Sequence, residues 1–92
     1  MKSGRTTVVN KYGIHLRPST LIVREAQRYG GDIMVSADGA AAVSAKNVLG
    51  LLGLGLTCGK TVTVAVTGPD EAACLKKMLG LFSSDFSTEF EY

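Results

Sequence analysis

The feature that most constrains the fold of this 92-residue chain is the alternating stretch Thr-Val-Thr-Val-Ala-Val-Thr at residues 61–67. Successive side chains of a β-strand point to opposite faces of a sheet, so Val62, Val64 and Val66 share one face and the threonines share the other. Such a strand is typical of an antiparallel sheet that packs on the core with one face and meets water with the other. We therefore expect helices to cover only one face of the sheet.

Turn residues and apolar spacing predict the element order β-α-β-β-α-β-α. The predicted strands are residues 5–9, residues 32–36, residues 40–43 and a segment that begins at Gly59, with Asp38-Gly39 as the turn of a hairpin. The predicted helices run from Leu16 to about Arg28, from a Ser44 cap to about Leu52, and from the Gly-Pro-Asp-Glu start at residues 68–71 through an apolar stripe of Leu75, Met78, Leu79 and Phe82. The expected fold class is α+β, an open-faced β-sandwich whose four-stranded sheet is antiparallel.

Composition is that of one globular domain over residues 1–92, and we expect residues 83–92 to form a loosely ordered tail. The formal net charge is +2 and the basic residues are scattered, which argues against a nucleic-acid partner. The sequence shows neither a signal peptide nor an apolar stretch long enough to span a bilayer, so we expect a cytoplasmic protein without membrane insertion. In that compartment Cys58 and Cys74 are expected to remain thiols.

The segment with the most chemical content is Gly-Ile-His-Leu-Arg-Pro-Ser at residues 13–19. His15 stands between a glycine-containing loop and a helix whose start is marked by Pro18. The first turn of a helix has unpaired backbone N–H groups and the positive end of the helix dipole, both of which favour an anion. Since Pro18 has no N–H, the amides of Leu16 and Arg17 are the expected phosphate-binding pair, and the Arg17 guanidinium adds a fork of donors.

A site that welcomes anions should lower the pKa of His15 and keep the imidazole neutral and nucleophilic near neutral pH. By itself, however, a histidine near a helix start is more often a cap or a solvated side chain. The chain has one histidine, no paired carboxylates beside it and no cofactor loop, so we expect no turnover enzyme, no cofactor and no metal site. The residues alone indicate an anion site that contains a histidine.

The motif Gly-Ile-His-Leu-Arg-Pro followed by a helix closely resembles the active-site signature of the HPr family, the histidine phosphocarriers of the phosphoenolpyruvate-dependent phosphotransferase system. Residues 44–56 are similar to the family's second characteristic segment. The resemblance implies a four-stranded sheet of order 1-4-2-3 covered on one face by three helices. It also implies that enzyme I phosphorylates His15 on Nδ1, that Arg17 stabilises the phosphoryl group, and that an enzyme IIA protein or domain accepts it, as in sugar uptake.

Two positions depart from the family pattern. Leu16 replaces a residue that is commonly small and adds apolar surface beside the site. Asn47 follows Lys46 where many relatives carry a serine that a dedicated kinase phosphorylates. Because asparagine cannot accept a phosphoryl group, we expect no regulatory serine, and we interpret Ser44 as a helix cap.

The apolar segment at residues 48–56 is too short to bury all its side chains, so part of it should remain exposed as a contact patch. The resemblance implies a docking surface for both enzyme I and the acceptor, formed by Thr20, Leu21, Arg24, Val48, Leu49 and Leu52. Four lysines are candidates for steering acidic partners, although Lys76 and Lys77 fit solvated surface better: Lys46, Lys60, Lys76 and Lys77. We expect a monomer that meets its partners transiently.

Two other functions stay open on the sequence. Residues 67–71 and 81–86 are similar to the nitrogen-related branch, NPr, whose members would signal through phosphorylation-dependent binding instead of serving sugar uptake. An anion- or nucleic-acid-binding domain without covalent chemistry is the other, and it is disfavoured because basic stripes and clustered aromatic residues are missing. The sequence does not specify which sugar, which pathway or which IIA acceptor is served.

Overall fold

Four strands form one antiparallel sheet in the order β1-β4-β2-β3. They are β1 (Lys2–Thr7), β2 (Asp32–Ala37), β3 (Val43–Ser44) and β4 (Thr61–Thr67). The structure is a computed structural model that describes residues 1–9, 16–37 and 41–83. Strand order, antiparallel pairing and the element order β-α-β-β-α-β-α are confirmed.

The strand register explains why the sheet has one apolar face. Val62, Val64 and Val66 of β4 are fully buried, and their partners on β2 are Ala37, Val35 and Ile33, which are buried as well. The alternate positions of β4 are at least partly exposed. The sheet face that carries the valines therefore packs against the core, as the alternating pattern predicts.

Three helices supply the other half of the core: α1 (Leu16–Gln27), α2 (Val48–Gly53) and α3 (Glu71–Phe82). Their buried side chains recur at helical spacing, which closes the apolar face of the sheet. These side chains are Ile22, Val23 and Ala26 of α1, Leu51 of α2, and Met78 and Phe82 of α3. Pro18 is buried in the first turn of α1, where its missing N–H costs no hydrogen bond.

The prediction of the first strand was wrong in its bounds. Residues 5–9 were expected because Val8 and Val9 are apolar, but β1 ends at Thr7 and its register with β4 runs from Lys2 opposite Val66 to Thr7 opposite Thr61. Val8 is fully buried beyond the strand, where its N–H donates to Lys60 O at 2.9 Å. Pairing with β4, and not its own apolar content, defines this edge strand.

The predictions around α2 also needed correction. The return strand expected at residues 40–43 is Val43–Ser44, while residues 38–40, including the predicted Asp38-Gly39 turn, lie outside the described residues. Ser44 pairs with Met34 in the sheet, and its Oγ accepts from Lys46 N before the helix begins, so Ser44 does not cap α2. Asn47 is the cap: its Oδ1 accepts hydrogen bonds from Leu49 N at 3.0 Å and Gly50 N at 3.3 Å.

The turn that precedes β2 and the turn that follows β4 approach each other closely. A Cβ atom on Gly31 would lie 2.1 Å from Thr67 O and 2.9 Å from the Cα of Gly68. Gly68 has a φ of 146°, which favours glycine, and the hydroxyl of Tyr29 packs against it. This crossing joins the turn after α1 to the turn before α3.

Candidate functional site

The candidate site lies at the start of α1, whose first residue is Leu16. The first turn holds no acidic residue, so its backbone amides and dipole are not neutralised from within the turn. His15 is the residue immediately before the helix in the sequence and lies outside the described residues. The backbone of Leu16 and Arg17 is helical, which puts the two amides expected to bind phosphate in the first turn.

The first turn of α1 also carries a buried polar group that the sequence analysis missed. Ser19 is fully buried, and its hydroxyl has no hydrogen-bond partner within residues 1–9, 16–37 and 41–83. A serine directly after a helix-starting proline reads as an ordinary first-turn residue, so no sequence signal marks its burial. The start of α1 thus combines the amide-bearing end of a helix with a buried hydroxyl.

The predicted docking surface spans α1 and α2, which pack against each other. On α1, Thr20 and Arg24 are exposed and Leu21 is half-buried. On α2, Leu49 is 76% exposed, while Val48 and Leu52 are half-buried. Because Leu51 and Leu56 are buried, the apolar segment divides into side chains that fill the core and side chains that face outward.

A turn of three residues fixes the position of α2. The buried Ala45 donates its N–H to Ile33 O at 2.8 Å, and Asn47 caps the helix. Between them, Lys46 Nζ donates to Tyr29 O at 2.9 Å and to Gly31 O at 2.8 Å, both just beyond the end of α1. Lys46 was expected to be a candidate for steering partners, but its ammonium group binds two backbone carbonyl groups of its own chain.

A second charged cluster joins α1 to α3 near the C-terminal end of α1. Glu25 Oε2 lies 2.7 Å from Lys77 Nζ on α3, and Oε1 lies 3.3 Å from Arg28. The hydrogen bond from Lys77 is the main reason that the pKa of Glu25 lies below its ordinary value. Lys77 is exposed, as expected for a surface lysine, although its ammonium group is also paired with Glu25. Lys60 and Lys76 are exposed as well.

Two neutral titratable groups lie beside this cluster, and both are partly buried. Burial raises the pKa of the Tyr29 hydroxyl and that of the Cys74 thiol. Cys74 is a free thiol, as is the exposed Cys58, whose Sγ–H donates to Val9 O at 3.8 Å. The Tyr29 hydroxyl and the Cys74 thiol are therefore uncharged near neutral pH. This end of α1 differs from the helix start, where an anion is expected to bind.

Within the described part of the chain, no three Cys, Asp or Glu side chains lie together as a metal-ion site. None of the helices found there has the length and apolar character needed to cross a membrane.

Comparison with known proteins gives a consistent family assignment. The family model of the PTS HPr component phosphorylation site matches residues 2–84. The phosphocarrier protein HPr of Treponema pallidum is 38% identical over 82 residues, covering 89% of this chain and 92% of the relative. The crystal structure of HPr from Bacillus anthracis superposes with a TM-score of 0.83 at 30% identity, covering 89% of this chain and 96% of that one.

The HPr-like protein Crh of Bacillus subtilis is also similar. It is 38% identical over 68 residues, covering 74% of this chain and 79% of the relative. One of its crystal structures, described as a domain-swapped dimer, superposes with a TM-score of 0.69 at 34% identity, covering 89% and 93% of the two chains.

Proposed function

The chain belongs to the HPr family of phosphocarriers, and on that premise we propose that His15 accepts a phosphoryl group from phospho-enzyme I and donates it to an enzyme IIA. The observation that carries the proposal is that α1 begins at Leu16, directly after the only histidine of the chain. Family membership supplies the reaction, and the helix start supplies the physical reason for it.

The transfer is a substitution at phosphorus. A ring nitrogen of the neutral His15 imidazole attacks the phosphoryl group on enzyme I, the new N–P bond forms, and the bond to the donor breaks with its electron pair. The amides of Leu16 and Arg17 and the Arg17 guanidinium stabilise the charge on the transferred oxygens. Transfer to IIA reverses these roles, so the protein is a stoichiometric carrier and is not a turnover enzyme.

We further propose that donor and acceptor use the same surface, formed by Thr20, Leu21, Arg24, Val48, Leu49 and Leu52. Both partners must reach one atom of His15, so they compete for a single face. The strong exposure of Leu49 and the packing of α2 on α1 support this choice. Such encounters are transient, and the carrier acts as a monomer in the cytoplasm.

The decisive experiment incubates the protein with phosphoenolpyruvate and enzyme I and records the intact mass before and after acid treatment. We expect one added phosphoryl group that acid removes, because a phosphoimidazole is acid-labile and a phosphoserine is not. Addition of an IIA protein should discharge the carrier at neutral pH. Undiminished labelling of a folded His15→Ala variant would contradict the proposal.

Arg17→Ala tests the role of the guanidinium separately. Since a hydrogen bond to a charged group contributes about 1.5–3 kcal/mol, we expect transfer to slow by about tenfold to a hundredfold. The melting temperature should change little. A large loss of melting temperature with normal transfer would show that Arg17 serves the fold instead.

A second function, regulatory signalling of the NPr or Crh type, is favoured by the similarity to Crh, whose solution structure is described as that of the catabolite repression HPr of Bacillus subtilis. Phosphorylated and unmodified forms would then present different charge to one binding partner. The acceptor distinguishes the two functions: discharge by a sugar-specific IIA supports uptake, and discharge only by a nitrogen-type IIA supports signalling. One crystal structure of Crh is a dimer. Light scattering therefore measures whether this protein is a monomer, as we propose.

A further inference from the structure

The ammonium group of Lys46 binds the two carbonyl groups that follow α1. Its Nζ lies 2.9 Å from Tyr29 O and 2.8 Å from Gly31 O. The side chain is partly buried, and these partners precede it in the sequence by 17 and 15 residues. Both carbonyl groups lie beyond Gln27, the last residue of α1, so the contact holds the turn that leaves the helix.

The backbone of Lys46 is held as firmly as its side chain. Its N–H donates to Ser44 Oγ at 3.1 Å, and the N–H of the next residue, Asn47, donates to Ser44 O at 3.1 Å. The residue before it, Ala45, is bonded to β2 and fully buried. Lys46 therefore ties the turn that precedes α2 to the turn that follows α1.

The helix that this turn carries is short and depends on external support. α2 has six residues, and a helix of this length is not stable by itself in water. It packs on α1 and β3, and its cap, Asn47, is the residue next to Lys46. A change in the Lys46 contact thus moves or loosens the start of α2 relative to α1.

We propose that Lys46 is a positioning residue for partner recognition: its bonds to Tyr29 O and Gly31 O set α2 against α1 and so align the two halves of the docking surface. This inference rests on the proposed function, because it takes α1 and α2 as the surface that meets enzyme I. It differs from electrostatic steering, in which the ammonium group would attract a partner through solvent.

The test compares Lys46→Met, which keeps the length of the side chain and removes its donors and charge, with Lys76→Met. Lys76 is exposed on α3, so its variant is a matched control for the loss of one positive charge. In phosphoryl transfer from phospho-enzyme I, we expect Lys46→Met to raise KM by about threefold to tenfold with kcat nearly unchanged. Lys76→Met should behave as the wild type.

Ionic strength separates positioning from steering. A steering effect weakens as salt screens the charges, whereas a misplaced helix remains misplaced. We expect the ratio of the KM values of Lys46→Met and wild type to persist at high salt. A ratio that falls to one at high salt, or an equal change in Lys76→Met, would overturn the proposal. Partial recovery of KM in Lys46→Arg, which keeps a cation and several donors, would support it.

Amide hydrogen exchange tests the same contact without any partner. In Lys46→Met we expect the hydrogen-bonded amides of Leu51 and Leu54 to exchange at least about tenfold faster than in the wild type, while the amides of β4 change much less. Uniform acceleration throughout the protein, or no change in α2, would overturn the proposal. If the wild type accepts no phosphoryl group, the proposed function fails, and the exchange experiment still decides whether Lys46 holds α2.

Discussion

At the residue scale, two charged side chains join segments that are distant in the sequence. Lys46 donates hydrogen bonds to the carbonyl groups after α1, and Glu25 on α1 forms an ion pair with Lys77 on α3 at 2.7 Å. Both contacts lie near the C-terminal end of α1, whereas the proposed phosphorylation site is at its beginning. The proposed phosphorylation site and these structural contacts therefore lie at opposite ends of α1.

The two cysteine thiols should differ in reactivity because Cys74 is partly buried and Cys58 is exposed. Burial raises the pKa of Cys74, so less of it is thiolate at a given pH, while Cys58 is exposed. We expect iodoacetamide at about pH 8 to modify Cys58 at least about tenfold faster than Cys74. Mass spectrometry of Cys58→Ser and Cys74→Ser measures each thiol separately, and equal rates would contradict the assignment.

At the element scale, α2 begins where a side-chain cap and the sheet together allow it. Asn47→Ala removes the acceptor for the amides of Leu49 and Gly50, which should destabilise the protein by about 1 kcal/mol within a range of about 0.5–2. Asn47→Asp should retain most of the stability because it keeps an acceptor. Urea unfolding measures both.

Ser44→Ala is the comparison that tests the corrected cap. Ser44 Oγ accepts from Lys46 N and from no amide of α2 among the described residues, so its removal should cost less than that of the Asn47 side chain. A larger effect of Ser44→Ala would show that the helix start depends on Ser44 after all.

The close approach of two turns at Gly31 should make the stability of the protein sensitive to a side chain at this position. Gly31→Ala would place a Cβ 2.1 Å from Thr67 O, a backbone atom that cannot move aside cheaply, so we expect a loss of about 1–3 kcal/mol. Gly30→Ala is the matched control, because a Cβ at Gly30 meets no atom within 4 Å. Equal unfolding free energies for the two variants would mean that the crossing relaxes freely.

At the scale of the whole molecule, two carboxylates make stability depend on pH. The hydrogen bond from Lys77 lowers the pKa of Glu25, and the one from Gly68 N, at 3.0 Å, lowers the pKa of Glu71, both from an ordinary value of 4.5. The native state therefore binds fewer protons than the unfolded state in this range. The stabilisation is complete above pH 4.5 and is lost as the pH falls through the lowered values.

Melting curves recorded from about pH 7 to about pH 2 test this dependence. We expect the wild type to lose melting temperature on acidification. The double variant Glu25→Gln/Glu71→Gln should start lower at neutral pH and fall less steeply, because it has no such protons to bind. Parallel curves for the two proteins would assign the acid sensitivity to other groups.

The sequence by itself determined the element order and the buried faces of β2, β4 and α3. The valines of residues 62–66 and the apolar stripe of α3 report local periodicity, and local periodicity follows directly from backbone geometry. The sequence also predicts His15 and Arg17 as site residues, because they and Pro18 are neighbours in the chain at the start of a helix. The roles of His15 and Arg17 come from the family resemblance. The burial of Ser19, in contrast, was visible only in the structure.

The tertiary structure decided which contacts join distant segments. Ser44 and Asn47 are both good caps, and only the pairing of Ser44 with Met34 in the sheet leaves the role to Asn47. Lys46 looks like any surface lysine until the turn before α2 is brought to the end of α1. Periodicity describes one element at a time, whereas these choices depend on the distance between elements, which is fixed only when the core is packed.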